Sequence, residues 1–398
     1  MAREKAVDRR DFLSTALFGM SGLAVGSRAG AAEPRVIVSK VQLRGSRVVM
    51  ALTIGGQGPF DFLLDTGGVL SFINADFAEQ LKMQITGQTA ARGIGGRTYL
   101  PVYLARDVVF GGGARQTSVA FAGLNGAFRL GSDVHGAVAA GFLTAIDSDL
   151  DFEAGEWRAY PDGRPPREGY VQMKNALVAE GTGPRAGSRR LFGDAAIDGR
   201  DGRFLLDTGA PGGVTVDNAF AKRVGLWNDA RPWAPTRPSG IAGAAGIARV
   251  VRAGSLDFAG TRTERPLVTL RAASDGIGSN QNGIIGLGIL RRFNLSTVAS
   301  TRDLWLKEHR AESPMQEHYG MSGLWLDRGS DDRWKVAAVG TGSPAAAAGI
   351  AVGDIVAAAD GSDVLRQIGG RTGAIAQLTV SRGSAPARPV ALTLTPYL

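Results

Sequence analysis

Phe62-Leu63-Leu64-Asp65-Thr66-Gly67 and Phe204-Leu205-Leu206-Asp207-Thr208-Gly209 are the same phrase written twice in one chain. Each reads as an apolar strand running straight into an Asp-Thr-Gly turn. One such turn is ordinarily only a turn, its Asp bonding its own backbone. Two copies behind the same apolar run carry a stronger expectation. Each strand delivers one carboxylate at its end, and two copies facing each other make a carboxylate pair.

Working outward, the surroundings of the two copies also recur. Residues 48–54 and 60–64 read as strands joined by a Gly-rich turn, and residues 191–197 and 204–206 repeat that layout around the turn at 198–202. A helix is expected over 72–83 and another over 218–226. Glycine clusters follow, Gly93-Ile94-Gly95-Gly96 in the first half and residues 240–246 in the second. Next come Gly136-Ala137-Val138-Ala139 and Gly283-Ile284-Ile285-Gly286, then closing strands over 146–152 and 293–298. Features recurring in one order at nearly constant separation indicate an internal duplication. The expected architecture is mostly β, with two homologous lobes over residues 32–166 and 167–312.

The totals agree with this organisation. A chain of 398 residues fits two or three domains, and 44% hydrophobic with 21% charged residues describes a globular protein. Fifty-seven glycines favour short strands and turns. The net charge is +8, but the arginines are dispersed and no basic run interleaves with aromatics, so no nucleic-acid partner is expected. Without cysteine there is no disulfide, thiolate nucleophile or Cys-bound metal. His135, His309 and His318 stand in no metal-ligand spacing, so neither metal nor cofactor is expected.

The first 31 residues read as an address. Asp8-Arg9-Arg10-Asp11-Phe12-Leu13 leads into a modest apolar stretch and then Ala29-Gly30-Ala31, the layout of a signal peptide with a small-residue cleavage site. The paired arginines resemble a bacterial twin-arginine export signal, which implies a periplasmic or secreted protein with no stable membrane span after cleavage.

The repeated lobes resemble those of the aspartic proteases, and the short hairpin before Asp-Thr-Gly with a Gly-Ile-Gly-Gly cluster resembles the retropepsin-like branch. That resemblance spans roughly residues 36–310. Retropepsins usually assemble from two identical chains. Both halves lie in one chain here, which implies a complete site in the monomer and a peptide or protein substrate. Asp65 and Asp207 would be the catalytic pair, two carboxyls sharing a proton. Thr66 and Thr208 would bond across the symmetric junction, and Gly67 and Gly209 would leave room for substrate. Residues 93–96 would form the working flap.

Beyond residue 313 the chain resembles a bacterial PDZ domain, a small α+β fold, through Ser343-Pro344-Ala345, Ala348-Gly349-Ile350 and Gly353-Asp354-Ile355-Val356. The resemblance implies that Gly323, Leu324, Trp325 and Leu326 form a loop receiving peptide C-termini while the peptide adds a strand to the sheet.

Five residues depart from these patterns. Gly68 replaces the Ser, Thr or Ala often found after the first motif, Pro211-Gly212 extends the second, Ala139 stands where the repeat expects the counterpart of Gly286, and Trp325 occupies a position where glycine is common. The departures leave two readings: an endopeptidase with a recruiting or regulating PDZ domain, or a non-catalytic periplasmic peptide-binding or scaffold protein with a degenerate site. A PDZ-like module used only for packing is compatible with either.

Overall fold

The computed structural model describes residues 35–93, 96–126, 130, 133–179, 188–240, 243–272, 281–309 and 317–398. The expected export signal over 1–31 lies outside the described residues, as do Ile94 and Gly95 of the first glycine cluster. Among the described residues no helix is long and apolar enough to cross a membrane.

The molecule is mostly β, and its two lobes are built on one plan. In the first, strand Arg47–Ile54 makes a hairpin with Gln57–Asp65, which pairs in parallel with Gly136–Ala139. Strand Phe72–Asn74 then lies antiparallel to Gly136–Ala139 and parallel to Ala114–Leu124. In the second, Arg190–Ile197 pairs with Arg200–Asp207, which runs parallel to Gly283–Gly286. Val214–Val216 is antiparallel to Gly283–Gly286 and parallel to Leu267–Leu270. The registers correspond, with Asp65 opposite Ala139 and Asp207 opposite Gly286. Both Asp strands are anchored by the repeated apolar run: Phe62, Leu64, Phe204 and Leu206 are all buried. Burying a Phe or Leu side chain contributes about 1.5–3 kcal/mol, so each carboxylate is carried on a firmly held strand.

The helices are shorter than the sequence pattern suggests. The expected helix over 72–83 divides into strand Phe72–Asn74 and helix Ala75–Gln80. Its counterpart is Asn218–Arg223, capped by Asp217, whose side chain accepts from the Phe220 N–H.

A six-stranded sheet joins the lobes, drawing Ile37–Lys40, Glu156–Ala159 and Ser148–Asp151 from the first half and Phe293–Val298, Asp303–Glu308 and Val171–Met173 from the second. Its central seam pairs Ser148–Asp151 with Phe293–Val298, and the Ser148 and Thr297 hydroxyls meet across it at 3.1 Å. One apolar cluster runs through both lobes, from Phe62 and Trp157 to Phe204 and Phe293.

The C-terminal residues form an antiparallel five-stranded sheet, ordered Leu324–Arg328, Trp334–Val339, Ile355–Ala358, Ile375–Ser381, Arg388–Thr393, with short helices Pro344–Ala347 and Val364–Ile368. This module has its own core around Leu326, Val336, Val356 and Leu378. Buried Asp354 is held by Arg382 at 2.7 and 2.8 Å, and that guanidinium keeps its carboxyl below the usual carboxylate range.

The module rests on the second lobe through the segment leading to that lobe's glycine cluster. Trp233 donates its backbone N–H to Thr341 O at 3.3 Å and its indole N–H to the Thr341 hydroxyl at 3.1 Å. Tyr397 donates to Trp233 O at 3.2 Å. Arg237 holds Asp327 through two bonds of 2.7 and 2.8 Å.

Candidate active site

The two Asp-Thr-Gly turns meet head to head, locked by the threonines. Thr66 N–H donates to Thr208 Oγ1 at 3.1 Å, and Thr208 N–H donates to Thr66 Oγ1 at 2.9 Å. Each hydroxyl then donates to the opposite Asp strand, Thr66 Oγ1 to Leu206 O at 2.7 Å and Thr208 Oγ1 to Leu64 O at 2.6 Å. Both threonines are buried, so a hydroxyl lost here would strand an N–H and a carbonyl together. The four bonds fix one turn relative to the other with near two-fold symmetry.

This lock sets the carboxyls side by side. Gly67 N–H donates to Asp65 Oδ1 at 3.0 Å, and Gly209 N–H donates to Asp207 Oδ1 at 2.8 Å. The two carboxyls are close enough for each to influence the other's ionisation. Each glycine faces the other lobe's carboxyl. A Cβ on Gly209 would stand 2.8 Å from Asp65 Cγ, and one on Gly67 would overlap the Asp207 carboxyl. Glycine is therefore demanded at both positions by close approach.

Both carboxyls keep some exposure while densely surrounded by protein. Burial is the first cause that holds Asp65 above the ordinary carboxylate range, followed by the negative charge of Asp207 and the hydrogen bond to it. Burial also raises Asp207, against the hydrogen bond with Asp65, the N–H groups of Gly209 and Ala210, and the positive charge of Arg190. The pair titrates as a unit and retains a proton where a free carboxyl would have lost it.

The departures from the repeat have local explanations. A Cβ on Gly68 would press on Asp65 Oδ2 at 2.8 Å, whereas its counterpart Ala210 carries one and donates its N–H to Asp207 Oδ1 at 3.2 Å. The Ala139 N–H donates to the Ser71 hydroxyl at 3.1 Å, while the equivalent Gly286 N–H donates to the backbone carbonyl of Gly213 at 2.7 Å. The loop through Ala210 and Gly212 packs so closely that a Cβ on Gly286 would lie 2.7 Å from Ala210 O. Ala139 and Gly286 are thus two solutions to one turn.

The remaining expected residues lie elsewhere. Gly93 pairs with Gly96 at the end of a long hairpin, Gln84–Gly93 with Gly96–Phe110, whose tip residues Ile94 and Gly95 are outside the described residues. In the C-terminal module Gly323, at φ +75°, packs against Ser343 so tightly that no side chain fits. Its N–H donates to Gly320 O at 3.0 Å, and the Leu324 N–H donates to Ser322 Oγ at 3.3 Å. Leu324 and Leu326 are buried in the module's core, and Trp325 turns to the second lobe, beneath the Arg237 guanidinium. Two amides expected to receive a carboxylate are therefore already bonded within the protein. Among the described residues no cluster of His, Asp or Glu is placed to hold a metal ion.

Sequence reasoning passed over Ser71 and Arg190. Arg47 and Arg190 open equivalent strands, so the sequence shows two matching arginines and not which of them turns to the site.

The aspartyl protease family profile matches this chain over residues 50–136 and 194–289. Each match contains one Asp-Thr-Gly turn, and the two support placing the duplicated lobes in the aspartic protease family. No curated protein sequence matches the chain.

Proposed function

We propose that the protein is an exported, single-chain aspartic endopeptidase in which Asp65 and Asp207 form the catalytic dyad. The observation that carries this reading is the reciprocal threonine lock, which brings the carboxyls of the two lobes together at one junction.

In the proposed reaction one carboxyl is ionised and the other protonated. The ionised carboxylate takes a proton from a water held between them as its oxygen attacks the scissile carbonyl, and the protonated carboxyl gives its proton to the carbonyl oxygen. The tetrahedral diol collapses as the amide nitrogen takes a proton from the dyad, the C–N bond breaks and one diol hydroxyl gives its proton back to the pair as it becomes the new carbonyl. The hairpin ending at residues 93–96 is assigned the flap role, closing over an extended peptide. The site needs no second chain, because both carboxyls come from one.

The C-terminal module is assigned as a PDZ-like domain. Among the described residues its edge strand Leu324–Arg328 has one strand partner, Trp334–Val339, and the proposed peptide would add to its other edge. The bonded Gly323 and Leu324 amides favour packing on the second lobe as a further role for the module.

The test is cleavage of an unfolded protein by purified protein and by Asp65→Asn and Asp207→Asn. Loss of cleavage in both variants is expected. Full activity in either one refutes the dyad.

A further inference from the structure

The two halves of the site are not electrostatically equal. Arg47 and Arg190 occupy the same place in the duplicated plan, each opening the strand that makes the hairpin with the Asp strand. Arg47 turns outward and pairs with Asp133 at 3.0 and 3.3 Å. Arg190 turns inward and crosses the lobe boundary, its Nη1 lying 3.4 Å from Gly67 O in the first lobe's turn. Gly67 is the residue that faces the Asp207 carboxyl. The guanidinium also stacks over the Phe192 ring, at 5.5 Å from its centre, a ring shared with Arg203, which pairs with Asp194.

We propose that Arg190 is a positioning residue that breaks the symmetry of the carboxyl pair, keeping the negative charge on Asp207 and the shared proton on Asp65. This rests on the dyad reading given above. A cation on one side of two like carboxyls favours ionisation of the one it faces. Arg190 reaches the carbonyl of Gly67, the residue packed against the Asp207 carboxyl, and its positive charge favours the ionised form of Asp207. Backbone N–H donors also bear on both carboxyls, Gly67 and Gly68 at Asp65, and Gly209 and Ala210 at Asp207. Asp207 is therefore assigned as the base that takes the proton from water, and Asp65 as the acid that polarises the carbonyl. The arginine also places the working range of the pair at lower pH than the same carboxyls would have without it.

The experiment compares wild type with Arg190→Gln, Arg190→Met, Arg190→Lys and Arg47→Gln. The readouts are the pH profile of kcat/KM and the carboxyl carbon NMR titrations of Asp65 and Asp207. In the neutral Arg190 variants both limbs of the profile should move to higher pH by about one unit, and the Asp207 titration should move with them. Methionine preserves the apolar stem over Phe192 and serves should the glutamine variant fail to fold. Arg190→Lys should stay near wild type, and Arg47→Gln should not shift. A uniform fall in kcat/KM at every pH, with both titrations in place, would make Arg190 a brace alone and overturn the proposal. If wild type cleaves nothing, the endopeptidase reading falls, yet the Asp207 titration still decides whether Arg190 biases the pair.

Discussion

The two lobes reach the same end by different local means. The second lobe closes its turn with backbone alone: the Gly213 carbonyl accepts from Gly286, and Gly286 is packed against backbone carbonyls. The first uses a side chain, the Ser71 hydroxyl, and tolerates Ala139 in the equivalent place. Yet the threonine lock, the two carboxyls and the glycines facing them, which each lobe presents to the other's turn in matching fashion, are identical. The residues that lock turn to turn share one form, while the closure behind each turn differs between the lobes.

The sharpest way to break this comparison is to remove one carboxyl at a time. Asp65→Asn and Asp207→Asn should each lower turnover by at least about 100-fold, because general acid–base catalysis of this kind contributes about 10²–10⁴ and neither half works alone. Unequal residual activities would sharpen the assignment of acid and base.

Next in size are the threonines. Thr66→Ala or Thr208→Ala should each cost about 2–4 kcal/mol in denaturant unfolding, since a buried N–H and a buried carbonyl lose their partners together. The double variant should cost clearly less than the sum, because both act in one network. Additive losses would mean that the lock is two independent contacts.

The carboxyl pair itself works against stability. Folding raises both carboxyls above the ordinary value of 3.8, so above that pH the folded state holds protons that the unfolded chain has released. Stability contributed by the pair is full at acid pH and is lost as pH rises through the raised range. Asp65→Asn should therefore stabilise the protein by about 1–3 kcal/mol at neutral pH, and the gain should vanish below the ordinary carboxylate range. A thermal unfolding series across pH reads this directly, and a destabilised variant at neutral pH would contradict it.

The exchange of small residues is a finer probe. Gly286→Ala should destabilise by about 1–3 kcal/mol through overlap with the Ala210 and Gly212 carbonyls, whereas Ala139→Gly should cost about 0.5–1 kcal/mol of backbone entropy. Equal effects would show that the two turns are packed alike after all. At the lobe–module contact, Arg237→Gln should cost about 1 kcal/mol or less, since Asp327 is 41% exposed and water screens the pair.

Much of this was readable from the chain alone because the decisive residues come as a duplicated phrase with fixed chemistry. Phe-Leu-Leu-Asp-Thr-Gly specifies a buried strand, a turn and a carboxylate at once, and Gly136 and Gly283 mark the partner strands of both copies. The strands Phe72–Asn74 and Val214–Val216 were not readable. Three residues are too few to show a period of two, and a helix begins soon after each, absorbing the first into an expected helix. Ser71 and Arg190 escaped for another reason. Their roles depend on which group lies across a turn or across the lobe boundary, and nothing local in the sequence encodes that. Trp325 looked like a defect in a peptide-binding loop, but its indole N–H donates to Asp327, the carboxylate that Arg237 grips.

The most direct test of the central claim is cleavage of an unfolded protein substrate by the purified single chain, measured across pH beside Asp207→Asn at equal concentration. The account expects peptide-bond hydrolysis by the monomer that weakens toward alkaline pH and disappears in the variant. Hydrolysis that survives in Asp207→Asn, or that rises steadily into the alkaline range, would contradict a shared-proton dyad formed by the two halves of this chain.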